Sequence, residues 1–375
     1  MDTLLISSLN SCMIRNRVMD IVVLRRVFAF FLSVLLILLL LPVPGFAEEG
    51  GFKALSEEEL QELVESYAAE KGVNPDLISV GYVYTETGER WFYNGDNAYY
   101  SASLYKVPLM MLFAEQEAEG ELTQESEIYG MTLDYIEDEV LISSNNPIAY
   151  SMMCYLGEPS AVRAMFQRYS ELPEDYYTWD FCAYSYFTAH FMTDVMETLY
   201  LHEERFPHIM EKLKLAQPGH FFRMGLGDED YEVAQKYGSY HDDSDNDWNH
   251  TAGVIYTEHP FVLTVMTRYG GMSENIISDL AVLMKDYTLK ADMRLEEHLA
   301  KEAAEQERLQ REAEEKAKRE TPEPTTAPSP SAVPAEEPVP AEPEPAVPVS
   351  GEIWFPVIAG ALLFSLVLCI IRRKR

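Results

Sequence analysis

The chain contains few cysteines and few basic residues for its length of 375 residues. Its 4 cysteines are too few for a disulfide framework, and their spacing does not suggest a zinc site. Only 29 Lys and Arg stand against 62 Asp and Glu, which gives a formal net charge of −33. Because nucleic-acid binding requires a basic surface opposite the phosphates, this charge argues against a nucleic-acid partner. No metal ion and no cofactor are expected.

Long hydrophobic runs occur only near the two ends, and the first resembles an export signal. Two arginines precede an apolar run from Val27 to Leu41, and small residues follow up to Ala47. A charged start, a short apolar stretch and a small-x-small site are typical of a signal peptide, predicted here over residues 1–47. An uncleaved N-terminal anchor has similar physical properties and is the alternative.

The second hydrophobic run predicts a membrane span. The 19 residues from Ile353 to Ile371 are apolar, and four basic residues follow them directly. A run of this length can cross the hydrocarbon core, and the cations favour a cytoplasmic end. Residues 351–375 are therefore predicted to form a transmembrane helix and a basic tail. We expect a single-pass protein of the cell membrane whose N-terminal domain lies outside.

Two segments of biased composition precede this span. Residues 289–320 contain no Gly or Pro and are rich in Ala, Glu, Lys and Arg, so they predict a charged helical stalk. Residues 321–350 contain ten prolines, which favour an extended, disordered linker. The remaining segment, residues 48–288, is long enough for one folded domain. It holds 44 acidic and 13 basic side chains and carries most of the net charge.

The pattern of the domain predicts an α+β fold. Ser56 and the periodic apolar residues after it predict a helix that ends at Gly72, and residues 104–215 are mostly helical in periodicity. Alternating polar and apolar residues predict strands near both ends of the domain, at Ile78–Tyr84, Arg90–Asn94, Val233–Gly238, Gly253–Tyr256 and Val262–Thr267. We therefore expect a three-layer arrangement in which an antiparallel sheet from both ends packs against helices, with a helical subdomain.

Three short motifs follow the first predicted hairpin in a fixed order. The first is Ser-x-x-Lys at Ser103 and Lys106, whose spacing on a helix brings the amine near the hydroxyl. A serine hydroxyl needs an adjacent base to act as a nucleophile, and lysine serves when burial lowers its pKa. The others are Ser144-Asn145-Asn146 and Lys236-Tyr237-Gly238. Each motif alone carries little information, but the ordered set in an exported chain is informative.

This ordered set resembles the Ser-x-x-Lys, Ser-x-Asn and Lys-x-Gly motifs of the serine β-lactamases and penicillin-binding proteins. The resemblance is to the class A β-lactamase-like branch and covers residues 55–288. It implies a serine hydrolase that forms an acyl-enzyme with β-lactams and hydrolyses the lactam amide. It also implies that the substrate is a β-lactam or a small molecule similar to a peptidoglycan peptide.

The resemblance implies a role for each motif residue. Ser103 would be the nucleophile and Lys106 its base, while Ser144 would pass a proton to the leaving nitrogen. Lys236 would supply positive potential for a substrate carboxylate. The substrate-binding residues would be Asn146, Tyr237, Gly238 and Ser239. The N–H groups of Ser103 and Ser239 would form the oxyanion hole, and the missing side chain at Gly238 would let substrate lie against the strand.

The chain departs from the family pattern at two places. Tyr237 replaces a threonine, which removes a small hydroxyl from the carboxylate site. Residues 169–177 lack the Glu-x-x-Leu-Asn pattern whose glutamate activates the deacylating water, and Glu171 and Glu174 correspond to it by position only. The resemblance therefore supports acylation better than rapid hydrolysis. The alternatives are a D-Ala-D-Ala peptidase or penicillin-binding protein, and a degenerate, non-catalytic domain that binds or senses cell-wall material.

Other polar residues are better explained as structural. The acidic run from Asp243 to Asp247 lacks the glycine and the glutamate that a calcium loop requires. His250 follows the third motif, and we expect a buried strand histidine with satisfied hydrogen bonds. Cys154 and Cys182 are the two cysteines of the domain. They could form a disulfide outside the cell or remain free thiols.

Overall fold

A computed structural model describes residues 52–227, 230–242 and 247–320 of the chain. The predicted signal peptide, proline-rich linker and membrane span, residues 1–47, 321–350 and 351–375, lie outside these ranges. No helix of the described part combines the length and the apolar composition that a membrane crossing requires.

The described chain begins and ends with a helix; the long strands lie near its two ends, and most helices and the short strands lie between them. The strands are β1 Ile78–Tyr84, β2 Glu89–Tyr93, β3 Tyr99–Tyr100, β4 Glu127–Ile128, β5 Met131–Thr132, β6 Tyr186–Phe187, β7 Glu232–His241, β8 Asp247–Tyr256 and β9 Phe261–Thr267. The α-helices are α1 Glu57–Lys71, α2 Lys106–Ala118, α3 Leu133–Glu137, α4 Asn146–Leu156, α5 Pro159–Met165, α6 Trp179–Tyr184, α7 Ala189–Leu201, α8 Ile209–Lys214, α9 Phe222–Leu226 and α10 Ser273–Glu320.

The first helix has the ends that its sequence predicts. The side-chain oxygen of Ser56 accepts a hydrogen bond from the backbone N–H of Glu59, which satisfies one of the free donors of the first turn. Gly72 adopts a φ of 67° and donates to the carbonyls of Ala68 and Ala69. Glycine tolerates this left-handed conformation without a steric penalty, so the helix ends there.

Five strands form one antiparallel sheet in the order β2-β1-β9-β8-β7. The hairpin of β1 and β2 is in register at Gly81 and Phe92, and β1 also pairs with β9 along its whole length. The first strand of the domain therefore lies beside its last one, so the predicted sheet from both ends is confirmed. Because β7 stands at an edge, one side of its backbone is not used by the ladder.

Apolar residues cover both faces of the sheet. On one face, residues of α2, α4 and α7 are buried against β8 and β9, among them Phe113, Met152, Phe191, Val254 and Met266. On the other face, residues of α1 and α10 are buried, among them Leu60, Val64, Ile277, Leu280 and Tyr287. The expected three-layer α+β arrangement is thus confirmed, and α2 is the helix at the centre of one layer.

The last helix contains the segment that the sequence predicts as a charged stalk. It begins at Ser273, inside the domain, and continues without a break through residue 288. Ala291 is fully buried, and Asp292 accepts a hydrogen bond from the Tyr84 hydroxyl at 2.7 Å. Arg294 forms a bidentate ion pair with Glu59 at 2.6 Å. The first two turns after residue 288 are therefore tied to the domain by these contacts.

One glycine of the central sheet offers a test of the packing. A Cβ atom at Gly253 would lie 2.4 Å from the backbone oxygen of Ala234 on the neighbouring strand. We expect Gly253→Ala to lower the free energy of unfolding by about 1–3 kcal/mol, because the strand backbone cannot move away freely. Denaturant unfolding followed by circular dichroism measures the change.

The matched control for this change is Gly271→Ala. Nothing lies within 4 Å of an added Cβ at Gly271, so stability should change by less than about 0.5 kcal/mol. Equal stability of the two variants would contradict the packing described for β7 and β8.

Candidate active site

The amino group of Lys106 is the centre of the motif residues. Its Nζ atom lies 3.0 Å from the Ser103 Oγ and 3.0 Å from the Ser144 Oγ. It also donates to the Ser144 carbonyl oxygen and to Asn146 Oδ1, each at 2.6 Å. The Lys106 Nζ thus connects the Ser-x-x-Lys pair to Ser144 and Asn146, which are 38 and 40 positions further along the chain.

Lys236 completes the cluster from the edge strand β7. Its Nζ atom lies 2.9 Å from the Ser144 Oγ and 3.2 Å from the carbonyl oxygen of Tyr237. The Ser144 hydroxyl therefore lies between two lysine amines. The structure brings together the four residues that the sequence assigns to catalysis, and Asn146 with them.

Ser103 lies in a tight turn directly before α2 rather than inside the helix. Leu104 N–H donates to the Ser101 carbonyl and Lys106 N–H to the Ser103 carbonyl, which is a spacing of three residues. Ala102 has a φ of 47°, an uncommon value for a residue with a side chain. The approach of Ser103 and Lys106 that the sequence predicts for a helix is thus achieved by a tighter turn. Ser103 remains partly exposed.

Ser144 reaches Lys106 with both of its oxygen atoms because its backbone is unusual. It follows the π-helical turn Asp138–Ile142 and has a φ of 58°. The next residue, Asn145, caps α4 by accepting from the Ile148 N–H, and its amide donates to Glu139 at 2.7 Å. Left-handed backbone at a non-glycine residue is costly, so the surrounding cap and turn must hold it in place.

Both lysines are fully buried, which changes their protonation. Burial lowers the pKa of Lys106 to about 8, and it lowers the pKa of Lys236 well below its ordinary value, with the charge of Lys106 adding to the effect. No carboxylate among the described residues forms an ion pair with either amine. Burial thus favours the neutral amine at both positions and opposes the permanent positive charge that the family resemblance assigns to Lys236.

The hydrogen bonds of Lys106 fit a neutral amine. The Ser144 carbonyl and Asn146 Oδ1 are acceptors, so they take the two hydrogens of an NH₂ group. The lone pair is then left for a hydroxyl, and the Ser103 Oγ at 3.0 Å is in reach. This arrangement can remove the Ser103 proton as its oxygen attacks an electrophile.

Gly238 makes a close contact that the sequence does not predict. A Cβ atom there would lie 2.8 Å from the Ser103 backbone nitrogen and 2.9 Å from the Ser101 carbonyl. The turn that carries the nucleophile fills the space that a side chain would occupy. Gly238 therefore lets β7 approach the Ser103 N–H closely.

The other two predicted substrate-binding residues lie on the same strand. Tyr237 stacks on Phe221 with ring centroids 5.0 Å apart, and its ring centroid is 4.3 Å from the Lys236 Nζ. Ser239 is exposed. The aromatic ring of Tyr237 thus occupies the position where the family pattern has the small hydroxyl of a threonine.

His250 is a structural residue, as the sequence suggests. It is fully buried, its Nε2 donates to the Tyr100 carbonyl at 2.9 Å, and its Nδ1 accepts from the Thr267 N–H. Burial lowers its pKa to about 4, so the ring is neutral. It links the sheet to the segment that leads to Ser103.

The two loop carboxylates are not part of this cluster. Glu171 and Glu174 are exposed, and neither contacts Ser103 or Lys106 in the described part of the chain. Glu171 lines a cavity of about 380 Å³ together with Arg90 and Asp194, away from the motif residues. Neither glutamate of this loop thus has a hydrogen bond to the nucleophile or to Lys106 among the described residues.

Sequence patterns did not identify two further contacts around the nucleophile. The Ser101 N–H donates to the Ser185 carbonyl at 2.9 Å, and their hydroxyls are 2.8 Å apart. Arg163 on α5 donates to the carbonyls of Cys182 and Ala183 in the same segment. Neither pair has a sequence signal, because the partners are 19 to 84 positions apart and belong to no motif.

Metal ligands and disulfides play no part in the described site. Within residues 52–227, 230–242 and 247–320, no group of three His, Cys, Asp or Glu side chains could hold a metal ion. Cys154 and Cys182 are free thiols, which resolves the alternative that the sequence leaves open.

Comparisons with solved structures place the domain in a known fold. A β-lactamase from Chitinophaga pinensis superposes with a TM-score of 0.52 at 16% identity, covering 61% of this chain and 98% of the other. The TLA-3 extended-spectrum β-lactamase gives 0.53 at 14%, covering 62% and 99%. An ancestral class A β-lactamase gives 0.50 at 19%, covering 61% and 98%. At such identities the likeness shows a class A β-lactamase-like fold.

The search of curated proteins gave no match. Residues 55–288 match the family described as the beta-lactamase enzyme family, and this is more than half of the chain. That range contains all the residues gathered around Lys106, so the family and the geometry agree. The chain belongs to the beta-lactamase enzyme family.

Proposed function

We propose that this domain is a serine hydrolase that forms an acyl-enzyme at Ser103 with a β-lactam or a similar cyclic or peptide amide, and hydrolyses it slowly. The observation that carries the proposal is the buried Lys106 amine, 3.0 Å from the Ser103 Oγ, with its pKa lowered to about 8. Only a neutral amine has the lone pair that a general base needs.

The acylation step follows from these contacts. The Ser103 Oγ attacks the carbonyl carbon of the amide as its proton moves to the Lys106 Nζ, and the carbonyl oxygen becomes an oxyanion. The N–H groups of Ser103 and Ser239 are assigned to this oxyanion by the family resemblance. The close approach of β7 to the Ser103 N–H at Gly238 supports that assignment.

Breakdown of the tetrahedral intermediate requires a proton on the leaving nitrogen. The Ser144 Oγ, 3.0 Å from the Lys106 Nζ, can give its own proton to that nitrogen and recover one from the Lys106 ammonium. Lys236 at 2.9 Å holds the hydroxyl from the other side. The C–N bond then breaks, the acyl group stays on Ser103, and the base is neutral again.

A substrate carboxylate would change the charge of the site. Because burial favours neutral Lys236, a bound anion would supply the counter-charge that the described residues do not provide. The aromatic ring of Tyr237 beside this amine leaves Ser239 and the lysine as the polar groups for such a carboxylate. An anionic amide thus fits the site better than a cationic one.

Hydrolysis of the acyl-enzyme has less support in the site than its formation. Hydrolysis needs a base that activates water against the acyl-enzyme, and Glu171 and Glu174 lie elsewhere. Lys106 is the one described group in reach, as its lone pair is restored after acylation. Slow turnover also favours the second candidate, a D-Ala-D-Ala peptidase or penicillin-binding protein, in which a long-lived acyl-enzyme is normal.

The location is part of the proposal. The export signal predicted over residues 1–47 and the apolar run at 353–371 with its basic tail support a domain held outside the cell membrane by one span. Peptidoglycan peptides and β-lactams would meet such a domain there.

Covalent labelling tests the proposal directly. Full-length chain incubated with a fluorescent penicillin should gain one label by intact mass, and Ser103→Ala should gain none. Ser143→Ala, which removes an exposed hydroxyl next to Ser144, should label like the wild type. Because no loop glutamate is in position, the label should persist for minutes or longer after excess reagent is removed.

Two results would overturn parts of this account. An unlabelled wild-type chain would exclude acylation at Ser103 and leave the non-catalytic alternative. A label that disappears within seconds, with product accumulating, would instead show rapid hydrolysis and a water-activating group that these contacts do not reveal.

The pH dependence of labelling tests the role of Lys106. Since the pKa of Lys106 is about 8, the fraction of neutral amine rises as the pH rises through that value. The second-order labelling rate should therefore fall about tenfold for each pH unit well below 8 and level off above it. Stopped-flow labelling between pH 6 and 9 measures this, and a rate that is flat over that range would rule out Lys106 as the base.

A further inference from the structure

A cavity of about 330 Å³ lies beside the nucleophile turn. Its walls come from residues 100–105, from α4 and α5, and from the end of α6 with the residue that follows it. Its main lining residues are four tyrosines, an arginine and a serine: Tyr100, Tyr105, Tyr150, Tyr184, Arg163 and Ser185. Only Tyr105, at a variable position of the Ser-x-x-Lys motif, belongs to the three motifs, and none of the six is a motif residue with an assigned role.

Three of the lining residues, Tyr105, Tyr150 and Ser185, lie next to residues of the candidate active site. The Tyr105 ring centroid lies 6.0 Å from the Lys106 Nζ. Tyr150 follows Asn146 by one turn of α4, so both project from the same side of that helix. Ser185 is hydrogen-bonded to Ser101, two residues before the nucleophile. A group attached to an amide carbonyl at Ser103 therefore has a cavity within reach.

Arg163 gives the cavity a positive charge that is not neutralised by an ion pair. Its Nε and Nη2 atoms donate to two backbone carbonyls, and its Nη1 has no hydrogen-bond partner among the described residues. The nearby Glu158 carboxylate is bound instead to Ser160 and the Ala161 N–H. Guanidinium groups bind carboxylates with charge-assisted hydrogen bonds, so the free donors suit an anion.

This arginine is unusual in so acidic a domain. Most of the other arginines in the domain, for example Arg90, Arg168 and Arg205, form ion pairs with described carboxylates. Arg163 does not, and it lines the cavity beside the nucleophile turn. With 44 acidic side chains in residues 48–288, a cation left without a carboxylate is best explained by an anionic ligand.

The tyrosines define the rest of the ligand. Tyr150 and Tyr184 are 62% and 58% exposed, so they form the open rim, whereas Tyr100 and Tyr105 are half-buried. Aromatic faces of this kind pack well against a planar or apolar group. The cavity is thus lined mainly by aromatic rings, with the Arg163 guanidinium as its cationic group.

We propose that this cavity binds the substituent on the acyl side of the substrate and selects one that carries a carboxylate, which Arg163 binds. The proposal rests on the function proposed for Ser103 and names the substrate class of that site. Substrates would be amides with an anionic acyl substituent.

The test compares two ligands that differ by one carboxylate. Benzylpenicillin and its α-carboxy derivative are titrated calorimetrically into full-length chain carrying Ser103→Ala, which removes the covalent step. We expect the α-carboxy compound to bind about tenfold more tightly, the effect of one charge-assisted hydrogen bond. Without a local cation, the acidic domain would repel the extra charge and reverse that order.

Variants at position 163 then test whether Arg163 causes the preference for the α-carboxy compound. Adding Arg163→Gln should bring the ratio of the two dissociation constants to one or below, and Arg163→Lys should keep part of the preference. The matched control is Arg168→Gln, which removes a neighbouring arginine already paired with Glu115 and should leave the ratio unchanged. Melting curves of each variant show that the fold is intact.

The outcomes separate this proposal from the one on which it rests. Equal affinities, no binding of either compound, or a preference that survives Arg163→Gln would overturn the cavity assignment, even if wild-type chain is labelled at Ser103. Selective binding without labelling of the wild type would instead support the cavity and contradict acylation.

Discussion

The candidate site depends on two lysine amines that are buried together with no described carboxylate to balance them. Lys106 and Lys236 both approach the Ser144 hydroxyl, at 3.0 and 2.9 Å. Two ammonium groups in such a place would repel each other and lose most of their hydration, so the site favours neutral amines. That electrostatic constraint lowers the pKa of Lys106 to about 8, which is what the proposed role as a base requires.

Several parts of the fold hold this arrangement in place. The left-handed backbone at Ala102 and Ser144 orients the two serines, and the absence of a side chain at Gly238 lets β7 pack on the nucleophile turn. The buried neutral ring of His250 connects that turn to the sheet. Each feature is costly or restrictive on its own. Together they hold the two serines and Lys106 in fixed positions, which a preorganised site requires.

Local patterns in the sequence were sufficient for the parts of the structure that obey local rules. Ser56 and Gly72 mark the ends of α1 through capping, and alternating residues mark the first hairpin. The three motifs identify the residues around Lys106, since their order in the chain is retained. The contact of Gly238 with the nucleophile turn could not be predicted, because it depends on how closely two distant segments approach, which no local pattern contains. Arg163 could not be recognised for the same reason.

The strong acidity of the domain now has a more specific meaning. A surface with so many carboxylates would give the proposed anionic amide little long-range attraction, so its recognition would depend on a local cation that lacks a carboxylate partner. In the described part of the domain Arg163 is such a cation, whereas burial favours the neutral form of Lys106 and Lys236. The site thus combines a base and a binding potential in the same few residues.

The central claim, that burial lowers the pKa of Lys106 to about 8 and so makes a neutral base available near physiological pH, is tested most directly by the titration of Lys106 itself. Full-length chain with ¹³C at the lysine ε-carbons can be followed by NMR, and the Lys106 resonance is the one that Lys106→Gln removes. The account predicts a midpoint at about pH 8. A Lys106 resonance that stays in the ammonium form up to about pH 10, near the ordinary lysine value, would contradict it.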